Sequence, residues 1–406
     1  MSSVLTPLHR AWRALPVRAR RRWLARGTAL LAPRPDRVPP PPANGLVVGG
    51  ELDRASGLGE GARLMLQALG VMGVPCRPLS LDPFGKPPCA TDGALPEAAP
   101  LVLHLNPPLL PWALRRMARD LGTGAVRGRR IVGYWAWELP VADPLWRRFV
   151  PFVHEIWVPS RFTADALEPL MPGRVRLVPH PVALRPPAPS GLGRADFGLP
   201  EDAVVTLCAF SLASSLVRKN PQAAIAAHRQ AFGDRADRIL LLKVGDPGHF
   251  PEDFAALQAL ANGAGNIRFL TRTLPLADHH ALLACVDILI SLHRSEGFGL
   301  VPAEAMLLGR PVVATGWSGT MDFMDEGTAA LVGYRLVPAQ DPRAVYEAPG
   351  AVWAEADVGQ AADWLRHLAD DPDARAALGR RGQRAARDRL GMDGLAGAVR
   401  ALGLAA

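Results

Sequence analysis

Two doubly wound α/β domains facing across a cleft are predicted for this chain, on three observations. Short apolar runs ending in Gly-, Ser- or Pro-rich turns alternate with helical stretches, the pattern of parallel βα units. The alternation runs twice, and the Pro/Gly-rich residues 183–200 separate the two series. At 406 residues the chain has material for two cores of ordinary size.

Residues 1–43 stand apart from both series. Arg10, Arg13, Arg18, Arg20, Arg21, Arg22 and Arg26 crowd this segment and concentrate the net charge of +8. Leu8, Trp12 and Leu15 fall at helical spacing, with Trp23 and Leu24 beyond Pro16. Two readings are open: a solvated arginine-rich tail, or a basic amphipathic segment suited to an anionic membrane surface. No recognition motif accompanies the arginines, so no nucleic acid is expected as a partner. Residues 33–43, PRPDRVPPPPA, cannot be helix or central strand and read as a stiff linker.

The first domain is expected over 44–185. Its strands are expected at 45–50, 75–81, 101–105, 131–135, 155–159 and 175–179, with a helical pattern from Ala62 to Gly70 after the first. The second domain, over 186–384, repeats the scheme with strands at 203–209, 239–244, 267–270, 286–292 and 311–315. From Asp357 the chain reads as helical and Arg/Ala-rich. The hydrophobic fraction of 49% is that of a globular protein, and no apolar run reaches the length of a membrane span. No apolar segment and cleavage site follow the basic start, so a cytoplasmic protein is expected, peripheral on the inner face of the membrane if the basic segment docks there. Cys76, Cys89, Cys208 and Cys285 lack metal-ligand spacing and read as reduced, mostly buried thiols.

The most informative stretch is 288–324, ILISLHRSEGFGLVPAEAMLLGRPVVATGWSGTMDFM. Ile288–Leu292 suits a buried strand, and the turn Ser295–Gly299 leads to Pro302 at a helix start. Gly309-Arg310-Pro311 stops that helix, Val312–Ala314 makes the next strand, and Ser318-Gly319 sits in a second small-residue turn. Open α/β sheets bind ligands where such strand ends lie side by side. Gly297 and Gly299 let backbone approach a ligand, and free amides at a helix start attract anions. Glu296 opens the loop and Glu304 falls in the first helical turn, so both carboxylates can face one crevice. Two acids at a helix start can also simply favour the dipole, but Glu296 lies outside the helix.

Glu296-x7-Glu304, with GFG after the first Glu and Pro-Ala before the second, resembles the signature of the retaining glycosyltransferases of family 4, of GT-B fold. The resemblance implies two Rossmann-like domains, with Glu304 holding the ribose of a nucleotide sugar. It implies that Gly297, Phe298 and Gly299 meet the transferred sugar and the diphosphate, and that residues 385–406 return to the first domain. Arg218-Lys219-Asn220-Pro221 is similar to the family's donor loop, in which a Lys grips the diphosphate. A cation there would answer the charge that develops on the leaving group. Lys86, Lys219 and Lys243 are the only lysines of the chain. The family's Arg upstream of the Lys is replaced by serines, and Arg218 is adjacent instead. Lys243, at the end of the next strand, faces either phosphate or solvent. Arg294 and the Ser318-Gly319 amides complete the expected donor crevice.

In the first domain Gly57-x-Gly59-x-x-Ala62 formally matches a dinucleotide fingerprint. Residues Glu51 to Ser56 separate it from the strand, which argues against a nicotinamide site. The resemblance makes it a loop facing donor phosphates and acceptor. Tyr134-Trp135-Ala136-Trp137-Glu138 offers aromatic faces and one carboxylate suited to a sugar. Relatives carry a His near here that contacts the transferred sugar; this chain has Glu138, and His104 ends another strand. Glu296, Lys219 and Glu138 are thus the expected catalytic set. Glu304, Gly297, Phe298, Gly299, Arg218, Ser318, Gly319 and Lys243 are expected at the donor, and Gly57, Gly59, His104 and Trp137 on the acceptor side. A nucleoside diphosphate sugar is the expected donor and a glycan or lipid-linked molecule the acceptor. No Asp-x-Asp or metal cluster is present in the sequence, so no obligatory metal is expected. An NAD(P)-dependent oxidoreductase and a non-catalytic sugar-nucleotide-binding protein remain alternatives.

Overall fold

The computed structural model describes residues 15, 17–42, 45–54, 56–82, 88–90, 95–346 and 348–404. Leu8, Arg10, Trp12, Arg13, Pro16 and Lys86 lie outside them. The described chain opens with helix α1 (Val17–Leu31). Residues 33–42 form no regular element, yet they are not a free linker. Asp36 accepts the Gly128 amide at 2.8 Å, and its carbonyl lies 2.8 Å from His154 Nε2.

The first sheet contains β1 (Leu46–Gly50), β2 (Cys76–Ser80), β3 (Cys89–Ala90), β4 (Leu101–His104), β5 (Ile131–Tyr134), β6 (Glu155–Val158) and β7 (Val175–Leu177). Their order is β3-β2-β1-β4-β5-β6-β7, parallel except for the two-residue β3. Helix α2 (Gly57–Val71) follows β1, α3 (Leu110–Asp120) follows β4, and α4 (Arg161–Leu167) follows β6. The sequence places the start of α2 at Ala62, but the helix begins at Gly57. Ser56 caps it, its hydroxyl accepting the Gly59 amide at 3.1 Å. The Gly-x-Gly stretch is therefore helix and not loop.

The second sheet holds β8 (Val204–Ser211), β9 (Arg238–Gly245), β10 (Ile267–Leu270), β11 (Ile288–Ser291), β12 (Val312–Thr315) and β13 (Ala330–Val332), in the order β10-β9-β8-β11-β12-β13. Helices α5 (Leu216–Lys219), α6 (Pro221–Phe232), α7 (Pro251–Ala261), α8 (Leu276–Cys285) and α9 (Leu300–Leu307) connect these strands. Setting β3 aside, both sheets run 3-2-1-4-5-6 in their own numbering, the doubly wound order with its switch between first and fourth strands. Strands β11 and β12 are buried almost throughout, which is why they read as continuous apolar runs.

Two strands outside both sheets, β14 (Tyr334–Pro338) and β15 (Val352–Ala356), pair antiparallel. They are followed by α10 (Val358–Asp370), α11 (Pro372–Arg389) and α12 (Asp393–Ala401). The last helix packs on the first sheet: Leu395, Ala398, Val399 and Leu402 share one buried cluster with Leu46, Val48, Met65 and Val102. Of the four cysteines only Cys208 is buried, while Cys76 and Cys285 are half-buried and Cys89 is exposed, fewer buried than expected.

Candidate active site between the two sheets

The strand ends of the two sheets face one another in close contact. A Cβ on Gly297 would lie 3.1 Å from the Trp137 carbonyl and 3.6 Å from Glu138 Cγ, and one on Gly57 would lie 4.0 Å from Leu300 Cδ1. Thr163 donates to the Trp137 carbonyl at 2.9 Å, the Arg161 amide donates to Asp322 at 2.7 Å, and His180 meets Phe298 edge-on at 4.9 Å. The loops after β5, β11 and β12 thus meet at one place.

Glu296 is the centre of that place. It is 8% exposed, ion-paired with Lys219, and accepts from Arg218 at 3.2 Å. Burial alone would raise its pKa, but Lys219, Arg218 and His293 outweigh burial and hold it down to about 2. Arg218 is 2% exposed, donates to the Ser295 carbonyl at 2.7 Å and the Ser214 carbonyl at 3.1 Å, and stacks 4.9 Å from the Tyr346 ring. Burial disfavours its charge, yet Tyr346, Glu296 and Glu138 keep it protonated. Burial lowers the Lys219 pKa, with Glu296 opposing. The loop that presents both cations is held by Ser215 and Asn220, non-glycine residues at φ +70° and +52°.

Glu138 reaches this cluster from the first sheet. Burial raises its pKa, Glu296 adds to the rise, and Arg218, Lys219 and a hydrogen bond from Tyr346 counteract it. Two carboxyl groups with opposed shifts therefore share one pair of cations, an arrangement that separates a permanently ionised acid from a proton-exchanging one.

Glu304 occupies the second turn of α9, one turn later than its expected place, because the helix begins at Leu300 directly after Gly299 at φ +100°. Its carboxylate lies 3.4 Å from His279 Nε2 and 3.9 Å from His280 Nε2 on α8. Burial would raise its pKa; hydrogen bonds from the two histidines lower it on balance. The Ala188 amide donates to His280 Nδ1 at 3.1 Å, which leaves Nε2 to carry the proton towards Glu304. Sequence reasoning missed this pair of histidines; the adjacent HH at one helical face was its only signal.

Several expected site residues are placed otherwise. The Gly319 amide donates to the Glu296 carbonyl at 2.9 Å and the Ser318 hydroxyl accepts the Glu296 amide at 2.8 Å, so both residues clamp the Glu296 backbone. Phe298 is 5% exposed and packs against His180 and Phe323. Arg294 pairs with Glu355 at 2.6 Å and is drawn away from the crevice. Lys243 lies two residues before the end of β9, half-buried, with burial lowering its pKa. His104 does not face the cleft: it is fully buried and stacks on Tyr134 at 4.1 Å. Trp137 is 3% exposed, packs 4.6 Å from Trp146 and donates to the Val141 carbonyl, so its ring is core and only its carbonyl borders the site. Gly59 is closed off beneath the Glu51 carbonyl, 2.5 Å from where a Cβ would stand, which leaves no open phosphate turn of the dinucleotide type.

Sequence comparison matches residues 207–354 to the family described as Glycosyl transferases group 1. Among curated proteins the chain is similar to D-inositol 3-phosphate glycosyltransferases. It is 30% identical to that of Nocardioides sp. over 42% of this chain and 39% of the relative. It is 30% identical to that of Acidothermus cellulolyticus over 59% of this chain and 51% of the relative. The matched stretch thus spans about half or less of these relatives. Among solved structures, Anabaena HepE in complex with UDP and glucose superposes with TM-score 0.59 at 16% identity, covering 89% of this chain and 100% of that one. Sucrose-phosphate synthase from Thermosynechococcus elongatus superposes with TM-score 0.61 at 17% identity, covering 88% and 98%. The shared strand order and these superpositions give the chain the GT-B fold, two Rossmann-like sheets with their switch points turned towards each other.

Proposed function

We propose that this protein is a retaining glycosyltransferase of family 4 that moves a sugar from a nucleoside diphosphate sugar, a UDP-sugar first among them, to a hydroxyl of a glycan or lipid-linked acceptor, in cell-surface or exopolysaccharide synthesis. The observation that carries this reading is the buried Lys219–Arg218–Glu296 cluster at the switch point of the second sheet, with Glu138 of the first sheet facing it. In this reading Lys219 and Arg218 hold the diphosphate. Glu304, oriented by His279 and His280, accepts from the ribose hydroxyls, and the Gly297–Gly299 loop borders the transferred sugar. Donor residues belong to a second domain over 186–384 and acceptor residues to a first over 44–185.

The bond between the sugar's anomeric carbon and the phosphate oxygen breaks, and the electron pair leaves with the nucleoside diphosphate. Lys219 and Arg218 answer that charge. The acceptor oxygen attacks the anomeric carbon from the same face, and its proton passes to the departing phosphate. Glu138, with its raised pKa, orients the acceptor hydroxyl.

The relatives named D-inositol 3-phosphate glycosyltransferase and the UDP-bound neighbour support this donor class. No described helix is long and apolar enough to cross a membrane. Helix α1 packs its small residues Ala25, Ala29 and Ala32 on the first core and turns Trp23, Leu24, Leu30 and Leu31 outward. With Pro111, Trp112 and Arg115 of α3, Trp23, Leu24 and Leu31 line an apolar groove of about 330 Å³, beside the exposed Arg22 and Arg26. A soluble surface rarely gathers such a patch, and its positive rim fits an anionic bilayer on the cytoplasmic side.

Thermal melting with UDP, GDP, ADP, dTDP, NAD and NADP tests the reading, with Glu304→Ala in parallel. A ligand at a hundred times its Kd adds about 2.7 kcal/mol of apparent stability. Stabilisation by one nucleoside diphosphate, lost in Glu304→Ala, is the expected result. Stabilisation by nicotinamide cofactors alone would overturn it.

A further inference from the structure

Between β13 and α10 the chain leaves the second sheet and makes an arm, residues 334–356. The root of the arm is fixed to the second half. The Ala354 amide donates to the Arg294 carbonyl at 2.9 Å, Glu355 pairs with Arg294, and the Asp357 amide donates to the Gly333 carbonyl at 2.8 Å. The tip belongs to the first half: Tyr346, Ala351 and Trp353 lie in one buried cluster with Trp135, Trp137, Trp146 and Phe149.

The tip is a built structure. Asp341, 3% exposed, accepts the Val345 amide at 2.8 Å, the Tyr346 amide at 3.1 Å and the Ser215 hydroxyl at 3.2 Å. Ala344 is held at φ +53°, a conformation that costs a non-glycine residue energy and persists only where its surroundings enforce it. The result is one ring placed between the halves. Tyr346 is 9% exposed, 6.0 Å from Trp137 of the first and 4.9 Å from the Arg218 guanidinium of the second. Its hydroxyl reaches the Glu138 carboxyl. The charged groups around Glu138 are Arg218, Lys219 and Glu296, and those around Tyr346 are Arg218, Glu138, Glu296 and Asp341.

We propose that Tyr346 is a positioning residue: the arm carries it from the second half onto the first, where it aligns Glu138 with Arg218 and Glu296, so that the site is complete only while the arm is docked. The proposal deepens the glycosyltransferase reading and rests on it for the meaning of turnover, though not for the geometry. Arm docking then couples closure of the two halves to the assembly of the acid and the cations.

The test compares wild type with Tyr346→Phe, which keeps the ring and removes the hydroxyl, and with Tyr346→Ala. Carbon NMR of protein labelled at the Glu carboxyls reads the Glu138 titration, with Glu138→Gln assigning the resonance. Calorimetry reads UDP affinity, and turnover is followed with UDP-sugar. A hydroxyl that donates to a carboxylate favours the ionised form, so Tyr346→Phe should raise the Glu138 midpoint. Turnover should fall by about tenfold, the worth of one hydrogen bond to a charged group, with UDP Kd changed by less than about twofold. Tyr346→Ala should weaken UDP binding as well, because Arg218 loses its ring. An unmoved Glu138 midpoint in Tyr346→Phe overturns the proposal, as does loss of UDP affinity and melting temperature together in that variant. If the wild type turns nothing over while the midpoint still moves in Tyr346→Phe, the enzymatic reading falls and the positioning role stands.

Discussion

Lys219 and Glu296 are ion-paired across 77 positions of sequence, and the pair ties the loop after β8 to the loop after β11, the neighbouring strands at which the second sheet reverses its order. An internal carboxylate thus sits on the two cations that an incoming diphosphate would use. Glu296→Gln keeps the shape and removes the charge. We expect UDP to bind the variant several-fold more tightly while turnover of UDP-sugar falls, and calorimetry beside a turnover assay checks both. The same substitution should flatten the acid limb of stability. The folded pKa of about 2 lies below the ordinary carboxylate value, so the contribution is present above about pH 4.5 and lost as pH falls towards 2. It is on the order of 3 kcal/mol.

Gly319 sets the height of the Glu296 loop. A Cβ there would stand 2.5 Å from the Gly297 carbonyl oxygen and 2.9 Å from that of Glu296, backbone atoms that cannot swing aside. Gly319→Ala should cost about 1–3 kcal/mol and reduce donor binding. Gly316→Ala, whose Cβ would meet the Val332 carbonyl at an ordinary 3.5 Å, is the control. Equal melting temperatures for the two variants would refute the clamp.

Three histidines are buried in neutral form. Burial lowers the pKa of His180 and of His228 to about 4, and burial with the neighbouring His180 lowers that of His104 further. Each stays unprotonated in the folded chain while the unfolded chain takes up a proton. Stability is therefore complete above about pH 6.5 and lost as pH falls towards 4, by about 3 kcal/mol for a shift of that size. Urea unfolding at pH 7 and pH 4.5 should show this loss, and His228→Leu should remove a share of it. An identical pH dependence in that variant would count against the assignment to His228.

The strand ends, the E-x7-E pair and the Lys219 loop were legible because parallel βα units write themselves locally: an apolar run, a small-residue turn, a helix start. What depended on a partner far away in sequence was not. Trp137 and His104 end strands, and nothing local says whether a strand-end ring points into a cleft or into the core beside Trp146 or Tyr134. Gly57 and Gly59 read as loop on composition, whereas the Ser56 hydroxyl, capping from the position before, makes them helix. The arm was invisible for the same reason. Its β14 strand is largely exposed, and the role of Tyr346 exists only in contact with residues about two hundred positions earlier.

Trp23 and Leu31 supply a separate prediction. Wild-type protein should sediment with vesicles rich in phosphatidylglycerol, less so at high salt, and hardly with phosphatidylcholine alone. The double variant Trp23→Ser, Leu31→Ser should lose most of that binding and keep its UDP affinity. Equal binding to neutral and anionic vesicles would dismiss the charge-matched bilayer.

Helix α12 closes the core over β1 and α2, though it is made roughly 200 residues after β7 completes that sheet. At ribosomal speeds of about 5–20 residues per second, the first half waits roughly 10–40 s with an apolar face uncovered. The N-terminal half is therefore not an autonomous folding unit during synthesis. It stays open to chaperones until the last helix arrives, so premature termination near residue 390 would forfeit both halves together.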